Sequence, residues 1–277
     1  MESKILDVTG AFPDDSRFRS VSSLLRANAL RDLERVVSDD AIRRHSGTPL
    51  EAVRYAPPVD DVCRIFCVGL NYADHAAENK LPPPESPIFF GKLAAVAIGS
   101  GEPIPLPASS QEVDYEAEVA FVMGARAKCI SPETAARHIA GFTIMNDVTA
   151  RDLQFQDKQW FRGKNCDGFA PLGPWIVTTD ELPDAHNLAI RLKLNGELRQ
   201  NSNTGQLFFK PAELVSFLSQ TLTLEPGDII STGTPGGIGY YANPKVFLKP
   251  GDLVEVEVDG IGTLRNPVRS NGDGEPS

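Results

Sequence analysis

No stretch of the 277-residue chain approaches the ~18 consecutive apolar residues that a membrane helix requires. Met1–Gly10 holds no basic region followed by an apolar run, so a cytoplasmic protein without a secretory signal is the expectation. Cysteine is scarce. Cys63 and Cys67 stand four apart, missing the C-x-x-C spacing, and no second Cys/His pair completes a zinc site, so these two together with Cys129 and Cys166 read as packing residues. Basic residues are outnumbered 27 to 37, giving a net charge of −10. A field of that sign repels phosphate backbones and anionic lipid, so neither nucleic acid nor membrane is an expected partner. What remains is ordinary for a folded protein: 41% hydrophobic and 23% charged residues, at a length that buries a full core without disulfides or metals.

Val21–Val37 carries apolar residues at helical spacing and predicts one amphipathic helix. Ala56-Pro57-Pro58 forbids helix continuation and sets the edge of a small N-terminal region, residues 1–60, ahead of a main domain over 61–269 and a loose tail over 270–277. From Arg64 the chain changes to short apolar runs separated by Gly, Pro and Asp. Strands are expected at Arg64–Gly69, Glu116–Met123 and Gly141–Met145, with short helices over Asn71–Lys80 and from Ser131-Pro132-Glu133. Asn195-Gly196 and Asp259-Gly260 each sit between apolar runs and predict hairpins with type I′ turns. Leu-x-Pro-Gly-Asp occurs at Leu224–Asp228 and Leu248–Asp252, each time before a strand. Many strands with few short helices favour a β-rich α+β fold over a parallel doubly wound sheet.

Three segments carry chemistry. In Val113-Asp114-Tyr115-Glu116-Ala117-Glu118, read as a strand, Glu116 and Glu118 share a face roughly 7 Å apart. Alone this is an ordinary solvated strand face. With Asp147, at the end of the Ile144-Met145-Asn146-Asp147 run, it becomes a set of hard oxygen ligands suited to Mg²⁺ or Mn²⁺. His75 and Glu78 are three apart on a helix, where a carboxylate orients an imidazole as a general base. The irregular run Asp147–Pro174 then gathers Arg151, Gln154 and Lys164, basic and polar groups suited to an anionic substrate. Gly233-Thr234-Pro235-Gly236-Gly237 lacks a following Gly-Lys-[Ser/Thr] and meets neither nucleotide fingerprint; it reads as a tight turn offering backbone N–H groups and the Thr234 hydroxyl to an anion.

Taken in order, V-G-L-N-Y-A-D-H (68–75), D-Y-E-A-E (114–118), N-D-V-T-A-R-D-L-Q (146–154), W-F-R-G-K (160–164), F-A-P-L-G-P-W-I-V (169–177) and S-T-G-T-P-G-G-I-G (231–239) resemble the fumarylacetoacetate hydrolase family over Arg64–Asn266. The resemblance implies that family's mixed β-roll or sandwich fold, a homodimer, and a Mg²⁺ or Mn²⁺ ion on Glu116, Glu118 and Asp147. It implies a His75–Glu78 dyad on a mobile lid, Lys164 as a catalytic lysine, and substrate contacts from Arg151, Gln154 and Thr234, with Tyr72 grouped among them. The expected substrate is a small 2-oxo acid. The leading expectation is hydrolytic C–C cleavage of an acylpyruvate-like 2,4-dioxo acid through a metal-stabilised enolate, with His75–Glu78 activating water. Decarboxylation of an oxaloacetate-type acid, or isomerisation of a 2-hydroxy-dienoate in aromatic catabolism, uses the same enolate and is the alternative. A non-catalytic binding protein is disfavoured by the intact triad, dyad and lysine. One departure stands out: Gly163-Lys164-Asn165-Cys166-Asp167 replaces the G-K-S-F-D of many relatives, and Gly168 a common hydroxyl residue, so the wall beside Lys164 is expected to differ.

Overall fold

In the computed structural model, which describes residues 4–38, 47–61, 64–78, 80–182 and 184–270, the apolar runs form two principal sheets. The seven-stranded sheet runs β4 (Ile88–Lys92), β3 (Ile65–Gly69), β14 (Ile229–Ser231), β8 (Ala117–Met123), β9 (Ile139–Asn146), β11 (Ala170–Thr178) and β5 (Ala97–Ile98). The five-stranded sheet runs β13 (Glu197–Asn203), β12 (Ala189–Leu194), β15 (Leu253–Val258), β16 (Gly262–Ser270) and β6 (Ile104–Leu106). Two short pairings complete the strands, β1 (Lys4–Ile5) with β2 (Thr48–Pro49) and β7 (Val113–Asp114) with β10 (Thr149–Ala150). The described helices are few: α1 (Val8–Ala11), α2 (Val21–Arg26), α3 (Leu30–Ser38), α4 (Ala73–Glu78), α5 (Pro132–Ala135), α6 (Arg151–Gln156), α7 (Phe161–Lys164) and α8 (Pro211–Thr221). The expected β-rich α+β class is therefore the observed one. Among the described residues no helix is long and apolar enough to cross a membrane.

Central strand β8 shows how the fold places a site. Every residue of it is buried. Ala117, Val119, Phe121 and Met123 join a core with Ile190, Leu192, Val254 and Val256 of the smaller sheet. Ala120 and Val122 join a second core with Leu25, Cys67, Met145 and Ile229. By strand alternation Glu118 lies on the Ala120–Val122 face, so a carboxylate continues an apolar floor.

Three expectations change. The Val21–Val37 helix is broken into α2 and α3 by Asn28, which takes φ 52°. Ala29 N–H bonds Leu24 O and Asn28 N–H bonds Leu25 O, both at 3.0 Å, a Schellman closure that asparagine tolerates better than other non-glycine residues. Asn195 (φ 55°) and Gly196 (φ 80°) form the expected turn, but at Asp259-Gly260 only Gly260 has positive φ (79°). There Val258 pairs with Gly262 across three residues, a longer loop that needs no left-handed aspartate. Of the cysteines, Cys67 is buried and Cys166 partly so, whereas Cys129 is exposed and packs no core; Cys63 lies outside the described residues, as do 271–277 of the tail.

The repeated Leu-x-Pro-Gly-Asp phrase makes the same turn twice. Gly227 and Gly251 take φ 91° and 92° after a proline, the arrangement of a type II turn. In each the aspartate carboxylate accepts the N–H three residues earlier: Glu225 to Asp228 at 2.7 Å and Lys249 to Asp252 at 2.8 Å.

Candidate active site

Glu116 lies one residue before β8, not within it, and its direction is set across the sheet. Glu116 N–H donates to Asn146 Oδ1 at 3.0 Å, and Asp147 N–H donates to Glu116 O at 2.9 Å. Ala117 pairs with Asn146, so Asp147 emerges beside Glu116. Carboxylate oxygens of Glu116, Glu118 and Asp147 come within 4.8 Å of one another, and all three residues are buried.

Three cations surround this triad. Lys164, ending α7, reaches Glu116 Oε2 (2.8 Å) and Asp147 Oδ2 (2.7 Å). Arg151, opening α6, approaches Glu116 Oε1 with Nη2 at 2.7 Å, bonds Asp114 Oδ2 through Nε at 2.9 Å, and donates from Nη1 to Gln154 Oε1 at 3.1 Å. The run expected to be irregular is thus helical here, which is what puts Arg151 and Gln154 on one face. The third cation, Lys92 at the end of edge strand β4, bonds Asp147 Oδ1 and Val148 O. The sequence motifs did not reveal it: a lone lysine closing an I-F-F-G-K run carries no spacing signal.

Four buried acids (Asp114, Glu116, Glu118, Asp147) thus face three cations, leaving one negative charge in excess. Glu118 bears the imbalance. Burial, then the charges of Asp147 and Glu116, push its carboxyl well above the ordinary range, against the Ser231 hydroxyl that donates to it. For Glu116 burial acts in the same upward sense, but Lys164 and Arg151 together outweigh it and hold the carboxyl low. Converging hard oxygen donors with uncompensated negative charge fit a divalent cation.

The helix bearing the dyad sits over the glycine loop. His75 Nδ1 lies 3.3 Å from Glu78 Oε2. The loop does present N–H groups to anions, as expected, but these are the protein's own carboxylates. Gly237 N–H donates to Glu78 (3.1 Å to Oε1), Gly236 to Asp74 Oδ1 (3.4 Å), Gly233 to Glu118 Oε2 (3.1 Å) and Gly239 to Asp114 Oδ1 (2.8 Å). Asp74 also accepts from Ser202 Oγ of β13, tying α4 to the smaller sheet.

A cavity of about 200 Å³ joins these parts: His75, Glu116, Glu118, Gln154, Lys164 and Thr234 line it, with Leu81, Phe155, Trp160, Tyr240 and Tyr241 among its apolar and aromatic wall. It lies below the ~300 Å³ where drug-sized pockets begin and suits a small acid. Asp147 is fully buried behind the wall. Tyr72, grouped with the substrate contacts from the sequence, is also fully buried and is not part of the wall.

A β-rich fold with a cavity ending on clustered carboxylates and cations defines an enzyme scaffold with a candidate divalent-cation centre. Residues 64–269 match the family described as fumarylacetoacetate (FAA) hydrolase C-terminal, and the chain belongs to that family. It is 48% identical over 213 residues to the mitochondrial oxaloacetate tautomerase fahd2 of Xenopus laevis, covering 76% of this chain and 67% of that protein. Among solved structures, 5-carboxymethyl-2-hydroxymuconate delta-isomerase of Mycobacterium smegmatis is 42% identical, with a TM-score of 0.72 over 81% of this chain and 85% of that one. Fumarylacetoacetate hydrolase of Exiguobacterium antarcticum is 35% identical with a TM-score of 0.82, over 96% of this chain and 91% of that one. That match takes in most of the N-terminal region as well.

Proposed function

We propose that this protein is a divalent-metal-dependent tautomerase or isomerase of a small 2-oxo acid of the oxaloacetate type. The observation that carries the reading is the assembly of a His–Glu pair, Lys164 and two triad carboxylates around one small cavity. The tautomerase and isomerase names of similar proteins support proton transfer ahead of the hydrolysis that the sequence motifs favoured.

A divalent cation on Glu116, Glu118 and Asp147 would polarise the 2-oxo group and so acidify the neighbouring C3–H bonds. His75, aligned by Glu78, removes the proton at C3 and delivers it to the 2-oxygen to give the enol; in the reverse direction it takes the enol O–H proton and returns it to C3. Lys164, charged and buried against Glu116 and Asp147, steadies negative charge developing on the 2-oxygen. Gln154 turns its Nε2 donor to the substrate, because its Oε1 is taken by Arg151. Hydrolytic C–C cleavage is the second reading, favoured by the near full-length likeness to the Exiguobacterium hydrolase.

The test follows the enol absorbance of oxaloacetate with Mg²⁺ and with EDTA, C3 deuterium exchange by NMR, and pyruvate release. Mg²⁺-dependent enol loss and exchange without pyruvate is the expected result. Pyruvate with CO₂ would make it a decarboxylase, and acetate with pyruvate from acetylpyruvate would restore the hydrolase. Turnover of none of these acids would end the reading.

A further inference from the structure

Strand β13 is patterned against expectation. It is an edge strand, and Leu198 is left 49% exposed while Gln200 is fully buried, the one buried residue of the strand. The pairing explains how. Leu192 pairs with Gln200 but Lys193 pairs with Leu198, so Arg199 is an extra residue, a β-bulge. Paired residues share a face: Lys193 and Leu198 point outward, and Gln200 points inward with buried Leu192. Without the bulge, residues 198 and 200 would lie on the same face.

The inward amide joins the smaller sheet to the site. Gln200 Oε1 accepts from Ala117 N–H at 2.8 Å, between the two glutamates of the triad. Its Nε2 donates to Pro235 O and to Thr234 Oγ1, each at 2.8 Å. An amide N–H group can only donate and a carbonyl can only accept, so Ala117 and Pro235 fix which end of the side chain is oxygen. The contact to Thr234 therefore has one polarity: the hydroxyl accepts. Among the described residues Thr234 makes no other side-chain hydrogen bond, and it lines the cavity, so its own proton is left to donate there.

The loop is built for this approach. A Cβ on Gly237 would stand 2.3 Å from Arg199 O and 3.3 Å from the Cα of Gln200, and φ is +99°. Only glycine lets the Thr234 loop lie backbone to backbone on the bulge.

We infer that Gln200 is a positioning residue that locks the Thr234 hydroxyl as a hydrogen-bond donor into the cavity, committing that corner to an acceptor such as a substrate carboxylate. The inference rests on the proposed reading that the substrate is a 2-oxo acid. Gln200 itself does not line the cavity.

Gln200→Glu tests it with almost no change of shape. A carboxylate still accepts from Ala117 N–H, loses the hydrogen bond to Pro235 O, and accepts from the Thr234 hydroxyl, turning that proton away from the cavity. With oxaloacetate and Mg²⁺, KM should rise about ten- to a hundredfold with kcat changed much less, the size of one hydrogen bond to a charged group. Thr234→Val should raise KM equally, Thr234→Ser should keep it, and Gln200→Glu should add little to Thr234→Val. Wild-type KM in Gln200→Glu, or effects that multiply in the double variant, would overturn the inference. Should Gln200→Glu not fold, Gln200→Met keeps the volume, frees the hydroxyl to rotate, and should raise KM in the same selective way; unchanged KM there counts equally against it. If no 2-oxo acid is turned over, the reaction reading fails, and Gln200 is judged by calorimetry of pyruvate binding with Mg²⁺. The same pattern in Kd upholds its role; no binding by the wild type removes both.

Discussion

The ammonium of Lys92 rests on Oδ1 of Asp147, both side chains fully buried, while Lys164 takes the opposite oxygen of that carboxylate. Asp147 thus enters the triad with each oxygen already oriented, one from the sheet edge and one from α7. A ligand steered this way by its surroundings holds its direction before any cation arrives.

Lys92→Met is therefore expected to leave buried Asp147 with one cation, Lys164, where it had two. Breaking a buried ion pair from one side costs about 3–5 kcal/mol, and a Mg²⁺ ion bound at the triad would supply the missing positive charge. Urea denaturation should show a large loss of stability in EDTA and a greater Mg²⁺-induced gain than in the wild type. An equal or smaller gain would show that Lys92 does not neutralise the site.

Glu118 makes the metal-free protein sensitive to alkali. Its folded carboxyl is raised well above the ordinary 4.5, so above that pH the folded state keeps a proton that the unfolded chain has released. Its stabilising contribution is full below pH 4.5 and is lost as pH rises through the folded value, at up to about 1.4 kcal/mol per pH unit. The lowered Glu116 acts in the opposite sense, but only below pH 4.5. Tm in EDTA should fall as pH rises above 4.5, and Glu118→Gln should flatten the fall while abolishing the Mg²⁺-induced shift. Equal slopes in the two proteins would remove Glu118 as their source.

What could be read from the sequence followed contiguity. Glu116, Glu118 and Asp147 sit at the ends of apolar runs whose strand character is plain, and adjacent strands must bring such ends together. The Asn195-Gly196 hairpin was equally legible. The bulge at Arg199 was not, because one extra residue leaves the apolar pattern intact and changes only which way Gln200 faces. Lys92 was invisible for a related reason: its meaning lies in β4 being next to β3, a pairing fixed by tertiary packing. Helix α8 left too weak a period, with polar Ser216 and Ser219 on its buried face. Asn28 looked like a tolerable helix residue, and only the closure onto Leu24 shows it as a stop.

Two glycines of similar φ separate strain from collision. Gly251 (φ +92°) has nothing within 4 Å of an added Cβ, so Gly251→Ala should cost only the left-handed backbone penalty of about 1–2 kcal/mol. Gly237 (φ +99°) would place that carbon 2.3 Å from a backbone oxygen. Gly237→Ala should cost clearly more in urea denaturation and should also reduce turnover, since its N–H holds Glu78. Matching losses of stability would mean that the loop yields freely.

The dyad predicts a separation of chemistry from metal binding. His75 and Glu78 line or border the cavity but supply no oxygen to the triad group. His75→Ala should lower kcat by about 10²–10⁴, the usual worth of a placed general base, with Mg²⁺ affinity unchanged by calorimetry. Glu78→Gln should fall between His75→Ala and the wild type. An amide oxygen can still accept from Gly237 N–H, so α4 stays docked, but the neutral side chain steadies a protonated imidazole less. Full turnover in His75→Ala would take proton transfer away from this pair.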